Sequence, residues 1–166
     1  MFGFDPDMIF RIPALLAALT VHEYAHARTA AWLGDPTPRL TGRLTLNPIA
    51  HLDPIGLIML WLFKFGWAKP VPVNPYYFRN GRKGVIMVSL AGPGANILLA
   101  FITALVIGIF AKFQMLTVAW STVLGLTYSY NIIFAIFNLL PLPPLDGSKV
   151  LTSILPGRYA YIFEKI

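Results

Sequence analysis

The sequence predicts an all-α integral membrane protein with a core of three transmembrane helices and one short re-entrant or interfacial segment. Its 166 residues suit a single domain, 1–166, and 57% of them are hydrophobic whereas 12% are charged, unlike the composition of soluble proteins. Two stretches, 84–111 and 113–145, contain no Asp, Glu, Lys or Arg. Each exceeds the roughly 20 residues that cross a hydrocarbon core. We therefore expect the chain to lie in a lipid bilayer.

The first apolar stretch, segment A, runs from about residue 8 to 33. Pro13 is tolerated in the first turn of a helix, and Gly34-Asp35-Pro36 ends it. No cleavable signal peptide is evident, because segment A lacks a clearly basic leader. We expect segment A to persist in the mature protein.

Segment B, from about 54 to 75, is apolar only as far as Trp67 and is interrupted by Lys64. An apolar run of about 14 residues is shorter than a membrane span and suits a re-entrant or interfacial element.

Segments C and D are the two long apolar spans, at about 84–111 and 115–140, joined by a short turn near Lys112. The tail, 147–166, alternates apolar patches with charged residues and breaks at Pro156-Gly157. This alternation is typical of an amphipathic helix at the membrane interface.

Positive charges indicate whether segment B crosses the membrane. If all four segments span, eight Lys and Arg residues lie on one side and three on the other. If B does not span, ten lie on one side, against Arg11 and Lys112 on the other. The second arrangement obeys the positive-inside rule better. It places the N-terminus outside, and the end of A, the start of C and the end of D at the cytoplasmic face.

The net charge of +6 does not indicate a nucleic-acid partner, because the 13 Lys and Arg residues are scattered through loops rather than gathered in a stripe. The chain contains no cysteine. Thiolate metal sites, disulfides and a cysteine nucleophile are therefore excluded, and any metal must be held by His, Asp or Glu.

The motif His22-Glu23-Tyr24-Ala25-His26 lies inside segment A. Residues four apart share one face of a helix, so both imidazoles could bind one metal ion, and Glu23 would point into the same sector. In an H-E-x-x-H arrangement two histidines hold zinc and the glutamate acts as general base toward the zinc-bound water. The alternative is a pair of buried histidines satisfied by hydrogen bonds. Ionisable groups in a hydrophobic span usually mark a functional site. This favours a metal site over a pair of structural histidines.

Catalytic zinc normally has three protein ligands and an open position, so the histidines need a third partner. Two aspartates compete for this role. Asp53 follows His51 at the expected N-cap of segment B, which favours capping. Asp146 ends a charge-free span, where it is harder to explain without a partner. If B does not span, A and D run parallel and bring His22, His26 and Asp146 toward the same side.

The segment Lys69-Pro70-Val71-Pro72-Val73-Asn74, here called the edge segment, has proline at alternate positions. In an extended conformation one edge lacks donors, whereas Val71 and Val73 keep N–H groups on the other. Such an edge could pair with an unwound substrate. The alternative is an interfacial loop that only anchors segment B.

Glycine and proline predict local geometry beside the site. Gly92-Pro93-Gly94-Ala95 would let helices approach closely and would kink segment C. Pro141, Pro143 and Pro144 would break helix D just before Asp146 and free the backbone to present its carboxylate.

The motifs HEYAH, NPIAHLDPIG, FGWAKPVPVN, AGPGAN and NLLPLPPLDG occur here in the order seen in prokaryotic site-2 proteases. The chain resembles the compact bacterial and archaeal branch of these intramembrane zinc metalloproteases over nearly everything from Ala17 to Leu151. The resemblance implies that Glu23 is the catalytic base and that one Zn²⁺ per chain has the ligands His22, His26 and Asp146.

The resemblance also implies supporting roles for Asn96, in the G-P-x-x-N turn, and Asn138, ahead of L-D-G. Asn96 could instead bond across helices, whereas Asn138, as a donor near zinc, could stabilise a tetrahedral oxyanion. The implied activity is hydrolysis of peptide bonds in transmembrane protein or peptide substrates. The implied location is the lipid bilayer of a prokaryotic plasma membrane, with the active site toward the cytoplasmic side.

Two rival functions come from other classes. A catalytically silent, metal-binding membrane scaffold would not require a base such as Glu23 beside an open metal position. A membrane metal transporter would favour further carboxylates or histidines along C and D, and both segments lack them.

Overall fold

The fold is seen in a computed structural model, which describes residues 8–63 and 68–164. Its helices, in chain order, are α1 (Met8–Trp32), α2 (Thr37–Leu40), α3 (Pro54–Phe63), α4 (Gly81–Lys112), α5 (Val118–Leu139), α6 (Asp146–Ile154) and α7 (Gly157–Glu164), with 3₁₀ turns at Pro48–His51 and Pro75–Tyr77. Residues 64–67 of segment B and residues 165–166 of the tail lie outside the described residues. The described ranges contain no β-strand, apart from one isolated bridge.

Three long helices form the centre of the molecule. Helix α4 packs against both α1 and α5, and α1 also contacts α5. Small side chains are buried on these helices, among them Ala18, Ala27, Ala100 and Ala135. Small residues let helix backbones approach closely where no large apolar core is available.

Within the described residues, two helices are long and apolar enough to cross a membrane, α4 with 32 residues and α5 with 22. At 1.5 Å per residue they extend about 48 Å and about 33 Å. Their outward faces carry large exposed apolar side chains, such as Phe101 and Val118, as expected of surfaces in contact with lipid. The predicted all-helical fold is confirmed within the described residues. In the described part of the chain, however, α1 is not a third helix that meets this criterion.

The residues on either side of the apolar part of segment B lie close to each other. Helix α3 has 10 residues, or about 15 Å, roughly half of a hydrocarbon core. Leu52, before α3, pairs with Ala68 after it, and the Lys69 N–H donates to the His51 carbonyl at 2.9 Å. Residues 51–52 and 68–69, which flank the apolar part of segment B, therefore lie side by side.

Asp53 caps α3, as the sequence favours. Its Oδ1 accepts the Ile55 N–H at 2.8 Å and the Gly56 N–H at 2.9 Å. His51 is buried, and its Nε2 lies 2.8 Å from the Thr45 carbonyl oxygen. Both residues thus serve the loops around α3.

Candidate metal centre

The potential metal ligands lie on two helices, α1 and α6. His22, Glu23 and His26 lie on α1, whereas Asp146 is the first residue of α6. Helix α5 ends at Leu139, two residues before Pro141, because proline provides no N–H to continue the helix and its ring clashes with the preceding turn. The proline-rich turn then carries Asp146 back against α1.

The side chains of His22, His26 and Asp146, here called the ligand cluster, converge on one point. The two Nε2 atoms are 3.0 Å apart. Asp146 Oδ2 lies 3.2 Å from His22 Nε2 and 2.9 Å from His26 Nε2. All three residues are buried, and together they could hold one metal ion.

The outer nitrogen of each imidazole faces an acceptor. His22 Nδ1 lies 2.6 Å from Asn96 Oδ1, and His26 Nδ1 lies 2.7 Å from the Val88 carbonyl oxygen. Each Nδ1 therefore carries a proton, and in a neutral imidazole with this tautomer Nε2 presents its lone pair to the cluster. Two lone pairs and a carboxylate oxygen at these distances repel one another unless a cation lies among them. The donor set therefore fits a metal ion.

Gly92 makes room for the ligand cluster. A Cβ at Gly92 would lie 2.5 Å from His26 Nε2 and 2.6 Å from His22 Cε1, whereas a Cβ at Gly94 would meet no atom within 4 Å. The close helix approach predicted for Gly92-Pro93-Gly94-Ala95 thus depends on Gly92.

Lys149 completes the surroundings of Asp146. Its Nζ lies 3.0 Å from Asp146 Oδ1, which leaves Oδ2 directed at the histidines. Burial alone would raise the pKa of the Asp146 carboxyl, whereas the nearby charge of Lys149 lowers it. The ionised carboxylate is the form that binds a metal ion.

Glu23 contacts the edge segment. Its Oε2 accepts the Val71 N–H at 3.0 Å, so this N–H is not open for a substrate strand as the sequence suggested. The Val73 N–H makes no hydrogen bond within the described residues. Of the two predicted pairing positions, only Val73 presents an unused donor.

Buried polar side chains hold the edge segment beside α1. The Arg43 guanidinium donates to the carbonyls of Ala50 and Lys69, and to that of Pro70 at 2.8 Å. Asp35 Oδ2 accepts the Asn74 N–H at 2.7 Å. Sequence analysis missed both anchors.

A cavity of about 870 Å³ opens onto the site. It is lined by the ligand cluster, by Glu23 and by residues of the edge segment. Its walls are apolar or aromatic side chains such as Leu15, Leu19, Tyr130 and Phe134. Asn138 also lines it, with its Nδ2 donating to the Phe134 carbonyl at 3.0 Å. The cavity is large enough for several residues of an extended peptide.

Asn96 lies behind His22 and does not line the cavity. It is fully buried, and its Nδ2 donates to the Ala18 carbonyl at 3.0 Å and to Asn131 Oδ1 at 2.7 Å. Both of its polar atoms are used, which favours a role through His22 over contact with a substrate. Asn131 was missed by sequence analysis, although a polar residue in the charge-free segment D was a signal that could have found it.

Comparisons with known proteins agree on one family. A family model described as Peptidase family M50 matches residues 104–164. The chain is 42% identical over 154 residues to YwhC of Bacillus subtilis (strain 168), covering 90% of this chain and 70% of that protein. It is 35% identical over 147 residues to Rip2 of Mycolicibacterium smegmatis, covering 84% of this chain and 54% of that protein. It is 34% identical over 105 residues to MJ0611 of Methanocaldococcus jannaschii, covering 58% of this chain and 50% of that protein.

These relatives are named as zinc metalloproteases. The chain spans most of the Bacillus protein and about half of the other two. No solved structure matches the chain significantly.

Proposed function

The chain belongs to peptidase family M50, the site-2 protease family, and from this premise we propose that it is a zinc metalloprotease that hydrolyses peptide bonds of transmembrane substrates. The observation that carries the proposal is the convergence of two imidazole lone pairs and the Asp146 carboxylate beside Glu23, in one apolar cavity.

His22, His26 and Asp146 would hold one zinc ion per chain. Zinc bound to such a set supplies a Lewis acid that makes water a better nucleophile and polarises a carbonyl. Glu23 is the proposed general base: it would take a proton from the attacking water and pass it to the leaving amine. The Val71 N–H supports this role because it holds one carboxylate oxygen in place and leaves the other available.

The apolar cavity and the edge segment suit an unwound substrate segment. A helical substrate must first open locally, since its carbonyls are otherwise held in intrahelical hydrogen bonds. The Val73 N–H is the proposed pairing donor, with Val71 beside it engaged by Glu23. Asn138 lines the cavity and is the proposed donor to an oxyanion.

We propose that the chain forms a single membrane-embedded domain in which α1, α4 and α5 span the bilayer and segment B is re-entrant or interfacial. The pairing of Leu52 with Ala68 supports this topology, because a spanning segment would separate its two ends. With the basic loops at the cytoplasmic face of a plasma membrane, the ligand cluster lies toward that side.

A metal-binding scaffold without catalysis is the rival function. Such a protein needs the ligand cluster, but it has no use for Glu23 facing the same cavity or for a cavity open to a peptide.

The test compares wild-type protein with Asp146→Ala and Asp53→Ala, purified in detergent. Zinc content and cleavage of a model transmembrane peptide are measured. Wild type and Asp53→Ala should each bind about one zinc and cleave, whereas Asp146→Ala should lose both properties. Zinc binding without any cleavage by wild type would support the scaffold. If Asp146→Ala kept full zinc content and activity and Asp53→Ala lost both, the third ligand would be Asp53 and not Asp146.

A further inference from the structure

A chain of buried polar groups runs from the ligand cluster into α5. His22 Nδ1 lies 2.6 Å from Asn96 Oδ1. Asn96 Nδ2 donates to Asn131 Oδ1 at 2.7 Å, and Asn131 Nδ2 donates to the Thr127 carbonyl at 2.8 Å. Asn96 and Asn131 are each 0% exposed. This series of hydrogen bonds thus connects the three long helices α1, α4 and α5.

Asn131 is fully buried on α5, where an amide is costly unless its polar atoms are paired. Its Nδ2 is paired within α5 itself. In the described part of the chain, its Oδ1 has one hydrogen-bond partner, which is Asn96. The contact that Asn131 makes outside its own helix is therefore directed at the residue behind His22.

The orientation of the Asn96 amide decides the tautomer of His22. Its NH₂ group faces two acceptors, the Ala18 carbonyl and Asn131 Oδ1, so its Oδ1 must face His22. His22 Nδ1 then carries the proton, and the Nε2 lone pair points into the ligand cluster. If the amide were reversed, its NH₂ would donate to Nδ1, and the imidazole proton would move to Nε2 and block a metal ion.

We propose that Asn131 is a positioning residue for the metal centre: by accepting a hydrogen bond from Asn96, it keeps His22 in the tautomer that binds metal. This rests on the proposed function only in that the ligand cluster binds zinc, and it does not require proteolysis. The Ala18 carbonyl remains as a second acceptor for Asn96, so loss of Asn131 weakens metal binding rather than abolishing it.

Asn131→Leu tests the proposal, because leucine has a similar size and no acceptor. The zinc Kd should rise about 10-fold, the lower end of the range for residues that orient metal ligands. In the zinc-free protein with neutral imidazoles, the ¹⁵N spectrum of His22 should show an Nε2–H form beside the Nδ1–H form. A side chain that only packs would not produce this spectroscopic change.

Thr103→Val is the matched control. Thr103 is buried on α4, and its hydroxyl donates to the Leu99 carbonyl of the same helix at 2.7 Å. The variant removes a buried hydrogen bond without touching Asn96, so the zinc Kd and the His22 spectrum should stay as in wild type.

A double-mutant cycle separates positioning from packing. If Asn131 acts through Asn96, Asn131→Leu should not change the zinc Kd further in an Asn96→Ala background. An equal rise in that background, or a wild-type Kd with only the Nδ1–H form in Asn131→Leu, would overturn the proposal.

If Asn131→Leu does not fold, Asn131→Ala removes the same acceptor and is interpreted in the same way. A wild-type protein that binds zinc and gives the expected spectrum but cleaves no peptide would overturn the proposed function alone.

Discussion

The histidines of α1 suit a metal because their neighbours decide which ring nitrogen faces the cavity. Asn96 and the Val88 carbonyl each accept a hydrogen bond from an Nδ1–H. The Nε2 of each histidine therefore faces the ligand cluster. Lys149 has the corresponding effect on Asp146, since it engages Oδ1 and leaves Oδ2 for the cluster. Each ligand is thus oriented by a group outside the ligand cluster, as is usual in metal sites.

Gly92→Ala should disrupt the metal site without harming the helix. The added Cβ would collide with both imidazoles, whereas alanine is favoured over glycine in a helix by about 0.5–1 kcal/mol. We expect zinc affinity to fall about 100-fold, the upper end of losses from changes around metal ligands. Isothermal titration with zinc measures this change.

Gly94→Ala provides the comparison for Gly92→Ala, because a Cβ at Gly94 meets open space on the same helix. Its zinc affinity should match that of wild type. Equal zinc affinities for the two variants would contradict the packing described at Gly92.

Sequence patterns predicted the residues whose relation is local. His22, Glu23 and His26 share one helix, so their common face follows from helix periodicity. Asp146 could be proposed from topology, because a lone carboxylate at the end of an apolar span needs a partner. The polarity of Asn131 could have marked the residue, but its proposed role could not be predicted, since that role depends on how α5 is rotated against α4. Val71 was one of two possible pairing positions, and the use of its N–H by Glu23 depends on contact between distant segments.

The helices lie close to their predicted segments, whereas the contacts that hold the loops were not predicted. Apolar runs and helix-ending prolines give α1, α4 and α5 boundaries within a few residues of those expected. The edge segment is held instead by Arg43 and Asp35, which lie in a polar loop without any local pattern that identifies their carbonyl and N–H partners.

Arg43→Met should loosen the edge segment, because it leaves three carbonyl groups without their charged donor. Hydrogen bonds to charged groups contribute about 1.5–3 kcal/mol, so we expect a loss of about that size in the free energy of unfolding. Hydrogen exchange should accelerate at Val71 and Asn74. Exchange mass spectrometry of the protein in detergent measures the effect.

Arg39→Met is the matched control for Arg43→Met, since Arg39 is an exposed arginine on α2. Exchange in the edge segment should stay at the wild-type rate. If Arg43→Met also left that rate unchanged, Arg43 would not be the anchor.

The whole chain is proposed to cross the membrane three times, with segment B returning to the side from which it entered. The exposed apolar faces of α4 and α5 and the paired ends of segment B support this arrangement. The site then lies within the bilayer but near one face, where water can reach the ligand cluster through the cavity while lipid surrounds the helices.

Single cysteines test this topology, because the chain has no cysteine of its own. In Arg39→Cys and Arg79→Cys the thiols flank segment B and should react with a membrane-impermeant maleimide from the same side. The thiol of Lys112→Cys, between α4 and α5, should react from the opposite side. Reaction of the Arg39→Cys and Arg79→Cys thiols from opposite sides would mean that segment B spans.

The proposed protease is tested most directly by the cleavage rate per bound zinc in Glu23→Gln. The amide keeps the size of the side chain and can still accept from the Val71 N–H, but it cannot take a proton from water. At equal zinc occupancy, cleavage of a model transmembrane peptide should fall about 10²–10⁴-fold, the usual contribution of a general base. A Glu23→Gln protein that binds zinc and cleaves at the wild-type rate would contradict the proposed chemistry.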